Sequence, residues 1–309
     1  MHLPHVQKTI PLIDKPDRRK SGPGLISWLA WLVSAALLIW LLVDGYSYYA
    51  TPYVDRPHHP DYRIFRPAGT MGLLFGYAGA AMMVLMLIYS IRKRTRLLGQ
   101  GISLQSLLRF HIYLGIMGPL LIVLHTSFKV QGLVAVSFWS MMAVAASGFF
   151  GRYLYLQIPR NIEGSELSLQ ELDRLKDEMK AVFRRRFRLE DAEIGKLEAV
   201  TTRFASGFQG GAFRAVIRLL IDDLLRFLAR RRFAHEIRMA LPLPKAEIRE
   251  FTRLAFRRAL LQRRVMLLAQ VQQVFHYWHV IHKPFAIIMY LIMLVHIGVA
   301  IWTGYGWVW

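Results

Sequence analysis

Four of the eleven histidines in this 309-residue chain carry the spacing expected of ligands. His111 and His125 lie in the apolar run RFHIYLGIMGPLLIVLHTSFK, and His282 and His296 in WHVIHKPFAIIMYLIMLVHIGVAI. The members of each pair are fourteen residues apart. At about 100° per residue that step returns to within about 40° of its start, so each pair shares one helix face, and its members are about 21 Å apart along the axis. Imidazole is an axial ligand of haem iron. On two parallel helices His111 lies level with His282 and His125 with His296. Each level then presents two imidazoles across an interhelical gap that suits a flat macrocycle. A single intramembrane histidine is often an interhelical hydrogen-bonder or a proton relay; two pairs of equal spacing favour ligation.

The surrounding residues fit that chemistry. Gly115 and Gly118 lie between the histidines of the first run, where small residues admit a bulky ring. Pro119 and Pro284 would bend the helices and free carbonyls. Haem propionates are anionic, and Arg109, Arg152 and Lys283 are suitable partners at the inner level, with Lys129 at the outer. The remaining histidines are weaker candidates. His279 and His276 stand seventeen and twenty residues before His296, off its helix face. His279 is read as bonding a propionate or packing at the interface. His58 and His59, in DRPHHPDY, read as a solvated loop, with a metal or a partner as the alternative. His235 reads as a surface residue, and the thirteen methionines as packing.

The elements that position these residues follow from composition. Residues of the AVILMFWYC set make up 54% and the mean hydropathy is +0.31. Charged residues are 19%, below the roughly 25% of soluble chains. Yet Lys plus Arg number 40 against 20 acidic residues, a formal charge of +20, so apolar and basic residues must be segregated. The absence of cysteine excludes disulfides, thiolate zinc sites, cysteine-held iron–sulfur clusters and c-type haem attachment within this sequence. Five apolar stretches, at about 25–43, 70–91, 107–128, 133–153 and 280–302, each reach the roughly 20 residues needed to span a bilayer. Each must be helical to satisfy its backbone. The first follows a polar segment and lacks a small-residue cleavage pattern, so it reads as a span rather than a signal peptide.

Basic residues cluster before span one (Lys8, Lys15, Arg18, Arg19, Lys20), after span two (Arg92, Lys93, Arg94, Arg96) and between spans four and five. The positive-inside rule therefore predicts a cytoplasmic N-terminus and insert and an external C-terminus, with Trp302, Trp307 and Trp309 at interface depth. Spans three and five then run parallel. The insert reads as helical. Ser168 and Glu171 form a capping box. Residues 212–232 show helical periodicity, and Pro244 suits the first turn of a helix that runs from about Lys245 toward span five. Gly207, Gly210 and Gly211 lack the spacing of a dinucleotide fingerprint. The expected architecture is an all-α integral membrane protein, a five-span bundle with a helical cytoplasmic insert, divided into 1–24, 25–156, 157–275 and 276–309.

The paired histidines on spans three and five resemble those of the ferric reductase-like transmembrane domain, the membrane module also found in NADPH oxidases. The resemblance rests on His111, His125, His282 and His296 and covers the five spans. It implies two stacked b-type haems, the inner held by His111 and His282 and the outer by His125 and His296. Three departures accompany it. The sequence ends after span five, where the family has a sixth. The flavin and nicotinamide domain that often follows is lacking. A long insert replaces a short loop. The expectation is a di-haem cytochrome subunit, in a bacterial cytoplasmic (inner) membrane, rather than a self-contained NAD(P)H reductase. Expected partners are membrane lipid, a quinol, a multihaem cytochrome, an iron–sulfur protein or a ferric chelate. The basic insert would dock a subunit or anionic lipid; its charges are spread over amphipathic helices with no nucleic-acid recognition motif. The alternative is a non-haem membrane subunit, a histidine-lined transporter or a structural anchor.

Overall fold

A computed structural model describes residues 24–95, 103–159, 169–206, 210–241, 244 and 247–305. Among these the secondary structure is helical, without strands. Five helices are long and apolar enough to cross a membrane: Leu25–Asp44, Tyr62–Arg94, Leu104–His125, Leu133–Gln157 and Leu268–Trp302. They correspond to the five stretches read from the sequence, and the chain is an all-α integral membrane protein. Span two proper is Thr70–Arg94, preceded by the single turn Tyr62–Phe65. Ser103 caps span three, its hydroxyl accepting from the Ser106 amide at 3.2 Å. Pro119 and Pro284 both lie inside continuous helices.

The chain divides into two compact units, one of Pro23–Gly151 and Trp278–Trp309, the other holding Arg152–Tyr277. Both boundaries fall within helices, because spans four and five continue past their apolar stretches. The 35-residue fifth helix is about 52 Å long, well beyond about 30 Å of hydrocarbon.

In the membrane unit, spans two and three pack along their length. They do so through small residues: a Cβ added to Gly79 would stand 3.1 Å from the Gly118 carbonyl, and one on Gly118 3.4 Å from that of Gly79. Such contacts let two backbones approach where no hydrophobic force drives helices together. By contrast, spans three and five make almost no close backbone approach, nor do spans four and five. The far end of span three is tied down by Arg56. This buried guanidinium donates to the carbonyls of Thr51 (2.9 Å), Tyr49 (2.8 Å) and Ser127 (2.6 Å). Ser127 and Phe128, the two residues that turn the chain, have φ of 48° and 61°.

Among its described residues the insert unit contains five helices, α1 (Leu169–Phe187), α2 (Asp191–Ser206), α3 (Ala212–Leu224), α4 (Arg226–Ala240) and α5 (Ile248–Met266). Their common core includes Phe183, Leu197, Phe233, Ile237, Phe251 and Ala255. Phe251 meets Phe183 and Phe187 edge-on, at centroid distances of 5.2 and 4.9 Å. The periodic run 212–232 is helical, as read, in two helices that meet at Leu225 (φ −88°, ψ 20°), where the α3 carbonyls of Ile221 and Asp223 bond the Leu225 amide. The helix expected from Lys245 starts at Ile248, after Pro244 accepts from the Glu247 and Ile248 amides, and Leu267 separates it from span five. His235 is exposed, as read. Ser168 of the capping box, Arg96, Trp307 and Trp309 lie outside the described residues.

Glu198 joins α2 to its neighbours, bonding Lys180 at 3.2 Å and Arg258 at 3.1 Å. Partial burial works against its carboxylate, but those two cations outweigh it and hold the pKa below the usual carboxylate range. A depressed folded pKa contributes stability that is present above the unfolded value and lost as pH falls through the folded one. Glu198→Gln should therefore flatten the acid limb of the insert's stability profile, measured by helical circular dichroism against pH. Phe251→Ala should destabilise the insert by about 3–5 kcal/mol, through lost burial plus a cavity; denaturant titration of the purified chain measures it.

Candidate functional site

The four histidines come together as two layers in the membrane unit. His282 lies within electrostatic reach of His111, and His125 within reach of His296. Each layer thus takes one imidazole from span three and one from span five, although the backbones of those spans stay apart.

Each ring's state is set by what its Nδ1 meets. On His125, Nδ1 lies 2.7 Å from the Gly72 carbonyl oxygen. On His111, Nδ1 lies 3.3 Å from the Met86 carbonyl oxygen. A carbonyl can only accept, so Nδ1 must carry a proton in both rings, and in the neutral ring the lone pair is then on Nε2. On His282, Nδ1 lies 2.8 Å from Ser147 Oγ. That hydroxyl is also 3.0 Å from the Val144 carbonyl; where it donates there, it accepts from Nδ1–H of His282. A ring nitrogen held by a carbonyl or hydroxyl while its partner stays bare is the arrangement found behind metal-ligating histidines.

Span two supplies the register. Gly72 and Met86 are themselves fourteen residues apart, and the helix runs antiparallel to span three, so both carbonyls meet their histidines at once. Gly76 makes room for the outer ring: a Cβ there would stand 2.7 Å from His125 Nδ1. On span four, a Cβ on Gly151 would collide with the Trp278 indole. That indole donates to the Ser147 carbonyl at 2.9 Å and lies 4.7 Å from the His282 ring.

A cavity of about 330 Å³ opens at the second layer, with both His125 and His296 in its wall. Lys129 is at its edge, and Met83, Phe138, Met141 and Met293 form much of its apolar lining. Between the two layers lies a cluster of four buried methionines, Met83, Met141, Met289 and Met293. Tyr290 closes it by donating to the Met83 carbonyl at 2.6 Å, and Ser137 by donating to that of Met289 at 3.0 Å.

The other residues singled out in the sequence are placed as follows. Gly115 and Gly118 serve the contact with span two: their added Cβ atoms would meet Met86 Sδ at 3.1 Å and Met83 Cγ at 3.3 Å. Arg109 is exposed and donates to Ser106 at 3.2 Å. Lys283 is exposed. Arg152 belongs to the insert unit, where it lies over the Tyr155 ring at 5.3 Å. His279 packs edge-on against Trp278 at 4.6 Å, and His276 is exposed. His58 is exposed. His59 accepts from the Asp61 amide at 3.1 Å and packs on Tyr48. Gly72, Gly76, Met86, Ser147 and Trp278 were not singled out. The stripe Gly72, Gly76, Gly79 in GLLFGYAGA was the available signal, since its spacing of four and three marks one helix face.

Fold and site together define an all-helical integral membrane protein whose core carries two layers of paired imidazoles. No family model, curated protein or solved structure matches the chain. Among the described residues no group of three or more His, Cys, Asp or Glu could enclose a metal ion.

Gly76→Val should disturb the His125 ring and destabilise the bundle by about 1–3 kcal/mol through overpacking. Gly148→Val, on span four with nothing within 4 Å of its added Cβ, should have a much smaller effect. Thermal unfolding of the two variants in the same detergent compares them.

Proposed function

We propose that the chain is a di-haem b-type cytochrome subunit that carries electrons across a membrane. Its partners would be a quinol or protein donor at one face and a redox protein or ferric chelate at the other. The observation that carries this reading is that Nδ1 of His111 and of His125 is held by a backbone carbonyl of span two, which makes Nε2 the nitrogen available to a ligand in the neutral ring. Pairs of such rings on spans held apart match what a bis-histidine macrocycle requires, and the cavity between His125 and His296 supports the match. Haem, when bound, supplies one-electron redox chemistry.

The chain's own residues do the rest. His111 and His282 would ligate at the inner layer, and His125 and His296 at the outer. The methionines and Phe138 keep water from the core, and Lys129 offers a cation to a propionate at the cavity edge. Layers about 21 Å apart cover most of a hydrocarbon core of about 30 Å. Moving an electron against the potential costs about 2.3 kcal/mol per 100 mV, so the partners must supply that difference. The positive-inside pattern supports a cytoplasmic insert.

A second reading takes support from the same hydrogen bonds, because His111 and His125 also join span three to span two. In that reading the chain is a non-haem subunit, and the histidines are interhelical links or line a polar path. A visible spectrum separates the two. The purified, dithionite-reduced protein should show sharp b-type bands, and a pyridine haemochrome assay should give about two haems per chain. A colourless, folded protein would overturn the cytochrome. His125→Ala should remove one haem and largely spare the other; retention of both would refute the pairing.

A further inference from the structure

Helix α3 has two apolar faces. Ala215, Val216 and Leu219 are buried in the insert core. On the opposite face Phe213, Ile217, Leu220, Ile221 and Leu224 stand exposed, at intervals of three and four residues, and Phe227 of α4 extends the patch beyond the turn. Phe213 is 64% exposed, Leu224 84% and Phe227 64%. Arg214 borders this face, and Arg231 lies over the Phe227 ring at 4.1 Å. The acidic side chains of α3, Asp222 and Asp223, point elsewhere. Both pair with Arg263, at 3.5 and 2.7 Å.

The position of α3 within its unit indicates what covers the face. Asp223 also accepts from Gln157 at 2.8 Å and Tyr153 at 3.2 Å, which belong to the last two turns of the span-four helix. The C-terminal end of α3 is therefore pinned where that helix leaves its apolar stretch, the depth of a bilayer surface. A helix with an apolar face rimmed by arginine, held at that depth, has the chemistry of an interfacial helix. We propose that the exposed face of α3, continued by Phe227, lies in the surface of an anionic lipid bilayer, with Arg214 and Arg231 at the headgroups. This inference is independent of the haem reading.

The chain has no cysteine, so an introduced one is unique. Ile217→Cys and Leu224→Cys, with Lys196→Cys as an exposed control on α2, are each labelled with bimane in the full-length protein. The labelled proteins are placed in nanodiscs containing phosphatidylglycerol with brominated acyl chains. Bromine quenches only a fluorophore in contact with lipid chains. The labels at 217 and 224 should be quenched at least about threefold more than that at 196, and Arg214→Gln with Arg231→Gln should reduce the difference. Water-like emission without quenching at both positions would overturn the proposal. So would blue-shifted emission without quenching, which would mean that another segment of this chain or a second copy covers the face. Equal quenching in purely phosphatidylcholine discs would overturn the role given to the arginines.

Discussion

A helical carbonyl has two lone pairs, and two carbonyls of span two use the second to bind imidazoles of span three. Much of the membrane unit is arranged so that this happens twice. The acceptors, Gly72 and Met86, share the fourteen-residue offset of His125 and His111, and the same antiparallel register brings Gly79 against Gly118 midway. Any looser packing of these helices would lengthen both hydrogen bonds. Any side chain at position 76 would displace the His125 ring. Backbone carbonyls, unlike carboxylates, fix a tautomer without bringing a charge into hydrocarbon, where a charge is costly. The packing itself thus selects Nδ1 as the bonded nitrogen of both rings.

The five spans and the shared helix face of each histidine pair were legible in the sequence, because helical geometry converts spacing directly into face and height. The partners of the rings were not. A carbonyl has no letter in the sequence, so Gly72 and Met86 could be found only once spans two and three were docked. Ser147 and Trp278 are ordinary residues until Gly151 lets the indole cross span four. The open sides of Gly115 and Gly118 face the methionines of span two, a neighbour that spacing within span three does not disclose. Within the insert, the breaks at Leu225 and Leu267 carry no proline or glycine, and each keeps a backbone bond to the preceding helix. Periodicity therefore ran through them unmarked.

The two layers differ in what surrounds them. At His111 and His282 the neighbours are aromatic, with Tyr89 5.3 Å from the first ring and Trp278 4.7 Å from the second. At His125 and His296 the wall is largely methionine, aliphatic residues and Phe138, with a lysine at the rim. Methionine is flexible and polarizable, and it adapts to the shape of whatever it surrounds. On the cytochrome reading the two sites therefore differ in dielectric and in nearby charge, which are the protein's means of setting two unequal potentials along one path.

Inside the insert unit, α3 is held by a different kind of interaction. Arg263 is 2% exposed and shares Asp223 with Tyr153 and Gln157, while its second contact is Asp222. A buried ion pair adds little net stability, because desolvation cancels most of the attraction. Its geometry is demanding, however, and here α3, α5 and the end of span four must all be in place before the carboxylate of Asp223 is satisfied. An apolar contact at the same point would tolerate rotation of α3 about its axis. Convergence of three donors on one carboxylate does not. It holds the buried face of α3 toward Val216 and Leu219's neighbours and leaves the arginine-bordered face turned out.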